Sequence, residues 1–219
     1  MALLGHHPKK AIKIMLPDEV EIRHFTIEQL YDGFGIKYLE HLHFNSYEDF
    51  KEAIHKIPRF SGSAIFGHEA QTLGRQYENE MKQGYTPDLY VRWIDNILGY
   101  GLFADAEIEE GEFIGEYTGL VRQLSRFKPE PNDYCFHYPN KWFSLHYRVV
   151  DAQNEGNLMR FMNHSEIPNV QPYFVMDRGL PHIIFLANQK IKKRTQLTFD
   201  YGKDYWMRRI KTDLADLNP

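Results

Sequence analysis

The chain has 219 residues, 42% hydrophobic and 26% charged, which fits a soluble globular protein and speaks against wholesale disorder. Its formal net charge of −4 disfavours non-specific nucleic-acid binding, which needs a basic excess, and suits a basic partner instead. A single cysteine, Cys135, excludes an internal disulfide and a multi-cysteine zinc cluster, and no apolar run is long enough for a signal peptide or a membrane span.

The first third, residues 1–88, reads as helical. Thr26 and Gln29 stand in a capping-box arrangement, with Ile27, Leu30, Tyr31 and Phe34 at the spacing of one helix face. Ser46 is the expected N-cap of a second helix, with Phe50, Ala53, Ile54 and Ile57 on one face and Pro58 as its stop. The stretch HEAQTLGRQYENEMKQG predicts a third helix ending at Gly84. None of the three carries clustered chemistry, so this region reads as a scaffold or a partner-facing extension.

From residue 89 the texture changes to short aromatic and β-branched segments punctuated by Gly, Pro, Asn and Asp. LYVRWIDNI, GEFIGEYTG, DYCFHYP, HYRVVDA, QPYFVMD, PHIIFLANQ and QLTFDYG predict strands. The spacing lacks the helix–strand alternation of a doubly wound fold, so residues 89–203 are expected to form a compact domain of small β-sheets.

Three short motifs have an ordinary reading beside a functional one. LGYGLFA matches the dinucleotide fingerprint G-x-G-x-x-A, but strand-like sequence follows where a helix must open, so a glycine-flanked turn is preferred. NHS at 163–165 is formally a glycosylation acceptor, improbable without a signal peptide, and His164 has no second ligand at metal spacing. KIKKR at 190–194 reads as a solvated hairpin turn, with targeting as the alternative.

GNLMRFMNHSEIPNV, residues 156–170, is the most informative stretch. Asn157, Arg160, Asn163, His164, Ser165 and Asn169 sit among apolar neighbours, and buried polar groups need partners. The segment is too polar for a plain core strand and is read as a loop facing a ligand.

Taken in order, GYGLFA, GEYTG, DYCFHY, VVDAQNEGNLMRFMNHSEIPN and QLTFDYGKDYW resemble the SET-domain protein-lysine methyltransferases over residues 98–206. The resemblance implies a fold of small sheets in which the NHS and DYG segments cross in a knot-like way, and S-adenosyl-L-methionine as cofactor. By position, Gly99, Tyr100 and Gly101 would bring backbone against the cofactor, with Tyr134, Arg160, Asn163, His164, Tyr201, Tyr205 and Trp206 around it. Tyr201 would be the catalytic tyrosine, Tyr117 would line the lysine channel, and Phe199 would permit di- or trimethylation, since no hydroxyl there anchors a water against a methylated amine. No metal is expected, because KDYWMRRIKTDL replaces the cysteine-rich segment that follows the tyrosine strand in many family members, and residues 204–219 would form an aromatic, helical C-terminal cap in its place.

The implied partner is a Lys/Arg-rich protein such as a histone, or the chain itself, with no direct nucleic-acid or membrane contact and no oligomeric state specified. Small size, the helical first third and the missing cysteines resemble the bacterial branch of the family, most of all its chlamydial nuclear effectors. That implies a soluble protein of the bacterial cytoplasm, exported to a host nucleus. The competing readings are the same chemistry on a non-histone protein, such as a bacterial DNA-compacting protein, a catalytically silent binding module, and a Rossmann-type oxidoreductase.

Overall fold

The computed structural model describes residues 11–55, 67–125, 127, 132–138, 146–203 and 205–206. Pro58, and the C-terminal cap beyond Trp206, lie outside them.

The first third is a mixture rather than a helical block. β1 (Ile12–Met15) and β2 (Arg23–Phe25) form an antiparallel hairpin. α1 (Ile27–Phe34) starts with the expected capping box: Gln29 N–H donates to Thr26 Oγ1 at 3.2 Å and Thr26 N–H to Gln29 Oε1 at 2.9 Å. It stops at Gly35, where φ is +66°, a conformation that costs glycine little. Of its apolar face only Leu30 is fully buried, whereas Ile27 and Tyr31 remain exposed.

β3 (Lys37–Tyr38) precedes α2 (Tyr47–His55), which Ser46 caps through Asp49 N–H at 3.1 Å. The third predicted helix is broken at Tyr77 into α3 (His68–Gln76) and α4 (Glu78–Lys82), and Gly84 follows at φ +55°.

The remaining strands make the expected small sheets. They are β4 (Leu89–Asp95), β5 (Gly99–Ala104), β6 (Phe113–Glu116), β7 (Gly119–Ser125), β8 (Cys135–Tyr138) and β9 (His146–Gly156). After a 3₁₀ turn at Leu158–Phe161 come β10 (Asn163–His164), β11 (Val170–Asp177), β12 (Leu180–Ala187) and β13 (Thr198–Phe199). The sheets run β2-β1-β4-β5, β11-β12-β6, β10-β13, and β3-β9-β7 with β8 also on β9. GYGLFA is therefore strand β5, antiparallel to β4, and not a turn.

The first third is woven into these sheets. β1 pairs parallel with β4, β3 pairs parallel with β9, and Arg148 on β9 donates to Glu52 on α2 at 3.0 Å. The missed strands have a physical explanation. β1 to β3 are four residues or shorter, too short for alternation to rise above neighbouring helical periodicity.

The core gathers where the sheets meet, with Ile14, Leu102, Ile114, Val150, Phe185 and Leu197 fully enclosed. Each such side chain contributes about 1.5–3 kcal/mol by leaving water. The KIKKR turn carries ion pairs, from Lys190 to Glu107 and Glu109 at 2.6 and 2.8 Å and from Lys193 to Asp105 at 3.2 Å.

Candidate active site

The 3₁₀ turn and β10 carry the polar stretch 156–170 past β13. Asn163 lies beside Thr198 and His164 beside Phe199 in a parallel pair, and Ser165 N–H donates to Phe199 O at 3.2 Å. The NHS and DYG segments thus run side by side.

The polar side chains of this stretch find partners within the protein, where the sequence reading had looked to a ligand. Asn157 donates to Glu116 O at 2.7 Å and accepts from Met159 N–H at 3.1 Å. Asn169 donates to Gln196 O at 2.8 Å and accepts from Thr198 N–H at 2.9 Å. Ser165 Oγ accepts from Ile167 N–H, and Asn163 Nδ2 reaches Tyr100 O at 3.3 Å. Buried amides are costly unless satisfied, and these are satisfied by neighbouring backbone.

A cavity of about 1030 Å³ opens against this crossing. Gly99, Tyr100, Tyr117, Tyr134, Phe199 and Tyr201 are part of its wall, together with Arg160, Asn163, His164, Tyr205 and Trp206. Gly101 is not part of it. A Cβ there would come within 2.7 Å of Ile94 and 2.8 Å of Gln196, so its glycine serves side-chain packing. Gly99 differs: φ is +67° and a Cβ would meet only open space.

Tyr117, buried, and Tyr201, half-buried, contribute hydroxyls to the wall. Tyr201 Oη donates to Met162 O at 2.9 Å and Tyr117 Oη to Tyr134 O at 2.7 Å. Each proton is committed to a carbonyl, so the oxygen lone pairs are left as acceptors. Burial, above all, raises both phenols above the ordinary tyrosine value, with Tyr205 and Tyr134 adding to it at Tyr201 and Arg160 opposing it at Tyr117. Both hydroxyls stay protonated at neutral pH.

The apolar side of the wall is aromatic. Phe199 packs 4.8 Å from Tyr201, 5.0 Å from Phe185 and 6.0 Å from Phe136, ring centre to ring centre. Phe136 also lies 5.4 Å from Tyr117 and joins the two tyrosines' surroundings; the DYCFHY alternation signalled the strand but not this contact. Tyr205 stands edge-on to Tyr201 at 4.7 Å and donates to Asp133 at 3.2 Å, and Trp206 lies 4.9 Å from His164.

Arg160 holds the opposite edge. Its guanidinium lies 4.1 Å above the Tyr134 ring and donates to Ala152 O at 2.7 Å and Gln153 O at 3.1 Å. Cys135, also in the wall, has its thiol pushed up chiefly by burial, so it is no nucleophile. No group of three or more His, Cys, Asp or Glu placed to hold a metal occurs among the described residues.

The SET domain family model matches residues 99–202, and the small-sheet fold around them is consistent with the SET fold. Among curated relatives, N-lysine methyltransferase KMT5A-A of Danio rerio is 28% identical over 68% of this chain and 44% of its own length. The H3 lysine-36 specific histone-lysine N-methyltransferase of Candida albicans is 40% identical over 49% of this chain and 13% of its own. The chain thus spans less than half the length of these relatives. A crystal structure of ATXR5 in complex with a mono-methylated histone H3.1 superposes with a TM-score of 0.64 at 20% identity, over 81% of this chain and 86% of that one, a likeness of fold. Among the described residues no helix is long and apolar enough to cross a membrane.

Proposed function

We propose that the chain is an S-adenosyl-L-methionine-dependent protein-lysine N-methyltransferase acting on Lys/Arg-rich polypeptides, histones or histone-like proteins among them. The observation that carries this reading is the pair of hydroxyls of Tyr117 and Tyr201, presented as acceptors in one aromatic cavity beside the NHS crossing. The N-lysine and histone-lysine methyltransferase relatives support it.

The cavity suits the cofactor. Gly99, at φ +67°, brings bare backbone to the wall, and aromatic rings and a half-buried guanidinium surround the volume. Asn163, His164, Tyr134, Arg160, Tyr205 and Trp206 would hold the group, which supplies an electrophilic methyl when bound.

The residues of the chain then have an aligning task. Methyl transfer to an amine requires a neutral nucleophile, and at pH 7 deprotonating a lysine of ordinary pKa costs about 4.6 kcal/mol. A dry aromatic wall lowers that cost by disfavouring the ammonium. The acceptor lone pairs of Tyr201 and Tyr117 orient the amine N–H groups, and close packing excludes water. Phe199 offers no hydroxyl in this wall, which supports products beyond monomethyl-lysine. The cysteine-free run after Tyr201 supports placement with the zinc-free bacterial branch and its exported members, acting in a host nucleus. The negative net charge supports a basic substrate.

The deciding experiment incubates core histones, and the protein itself, with S-adenosyl-L-methionine and reads mass. Lysine methylation that is lost in Tyr201→Phe is the expected result. Intact cofactor binding with no methylation of any basic protein would point to a silent binding module, and no cofactor binding at all would overturn the reading.

A further inference from the structure

A second cavity, of about 500 Å³, shares no residue with the first. It is walled by Tyr77, Glu80, Tyr85, Glu112 and Phe113, with Asn79, Gln83 and Gly111 completing it. Its rings form a connected aromatic surface. Phe113 lies 5.4 Å from Tyr77 and 6.3 Å from Tyr85. Tyr77 is fixed by donation to Gly111 O at 3.0 Å, Phe113 is buried, and Tyr85 is 41% exposed at the mouth.

The carboxylates give this surface its chemistry. Glu80 Oε2 is buried and has no hydrogen-bond partner among the described residues. Glu112 uses Oε2 to accept from Glu109 N–H at 3.0 Å. Both carboxylates reach the mouth electrostatically, since Tyr85 is raised by burial first and then by Glu112 and Glu80. A buried carboxylate oxygen without a partner is costly, and the cost is relieved where the carboxylate turns to meet a cation that can donate to it.

The combination selects a ligand class. Two carboxylates repel anions. A metal ion lacks a donor set here, since no cluster of three or more ligating side chains occurs among the described residues. Aromatic faces with an acidic acceptor favour an organic cation, held by the ring quadrupoles on one side and by charge on the other.

We propose that this cavity is a second binding site, for an alkylammonium group bearing at least one N–H, the head of a lysine or a mono- or dimethyl-lysine side chain. A quaternary trimethyl-lysine keeps the attraction to the rings but has no proton for Glu80 Oε2. The site stands at the other end of β6 from the catalytic cavity: Phe113 opens the strand and Tyr117 follows its last residue, about 13 Å farther along at the usual strand rise. Two lysines of one basic tail can engage both cavities, which raises the tail's effective concentration at the channel. That tethering role rests on the methyltransferase reading; alkylammonium binding does not.

The test is an NMR titration of the full chain with labelled aromatic residues, using N-methylbutylammonium chloride and butyltrimethylammonium chloride as probes and sodium chloride as the salt control. Saturable shifts at Tyr85 and Phe113 are expected, stronger for the N–H-bearing probe. Glu80→Gln should weaken that probe by about tenfold or more, the worth of a charged hydrogen bond. Tyr85→Leu, at a half-open position, should weaken both probes with the fold intact. Shifts confined to Tyr117, Phe199 and Tyr201, undiminished affinity in Glu80→Gln, or tighter binding of the quaternary probe would each overturn the assignment. Because these resonances are separate from those of the catalytic cavity, and binding needs no methyl transfer, failure here is distinguishable from failure of the proposed activity.

Discussion

The backbone N–H of Tyr201 donates to Nδ1 of His164 at 3.2 Å, so the imagined pair of NHS and DYG motifs is one hydrogen-bonded unit. An Nδ1 that accepts leaves the imidazole proton on Nε2. His164→Ala removes the acceptor and strands a part-buried N–H, which costs about 1–3 kcal/mol. Thermal unfolding should fall accordingly, and calorimetric cofactor affinity should weaken with it. His164→Asn, which keeps a side-chain acceptor, should recover part of both.

Tyr201→Phe separates chemistry from stability. The lost hydroxyl frees Met162 O and removes one acceptor from the wall, while the ring contacts with Phe199 and Tyr205 are kept. One hydrogen bond contributes about 0.5–1.5 kcal/mol to folding, whereas loss of an orienting group in a catalytic site costs about a hundredfold or more in rate. Single-turnover methyl transfer should therefore collapse while the unfolding midpoint in urea moves little.

Phe199→Tyr tests the product state. The ring sits between Phe185, Phe136 and Tyr201, and a hydroxyl added at its tip offers a polar anchor in the wall. If an anchored water crowds a methylated amine, the variant should stop at monomethyl-lysine where the parent continues to di- or trimethyl. Intact-mass time courses with excess cofactor distinguish the two, and an unchanged product distribution would remove Phe199 from this role.

The sequence made some of this legible and hid the rest for physical reasons. Thr26 and Gln29 announced α1 because a capping box is a local interaction, and the strand segments after residue 89 announced themselves by composition. GYGLFA misled as a turn: its glycines are strand residues, Gly99 taking a positive φ at the cavity wall and Gly101 making room for Ile94 and Gln196. Such reasons depend on residues far away in sequence. Asn157 and Asn169 were read as facing a ligand because their polarity is visible in the sequence, while their backbone partners, Glu116 and Gln196, are not. The cavity between Glu80 and Phe113 left no motif, since it joins α4 to a strand that follows much later.

The pair Glu116–His182 predicts a pH dependence of stability. Nδ1 of His182 on β12 lies 2.6 Å from Oε1 of Glu116 on β6, and both residues are largely enclosed. Burial alone would lower the imidazole, but the hydrogen bond and charge of Glu116, with Asp177 adding to them, raise it overall. Tyr138 shares this surrounding: burial first and then Glu116 raise its phenol while Arg148 opposes them, and Tyr138 Oη is tied to Pro181 O at 2.9 Å. A histidine whose folded pKa is raised contributes stability that is fully present below the unfolded value, about 6.5, and is lost as pH climbs through the raised value. Urea unfolding followed from pH 5.5 to 9 should show the parent losing stability across that window. Glu116→Gln, which keeps the size and removes the charge, should flatten the profile there. Because Tyr117 follows Glu116 directly and its N–H donates to Ile183 O at 2.7 Å, beside His182, loosening this pair at high pH should also reduce methyl-transfer turnover more in the parent than in the variant.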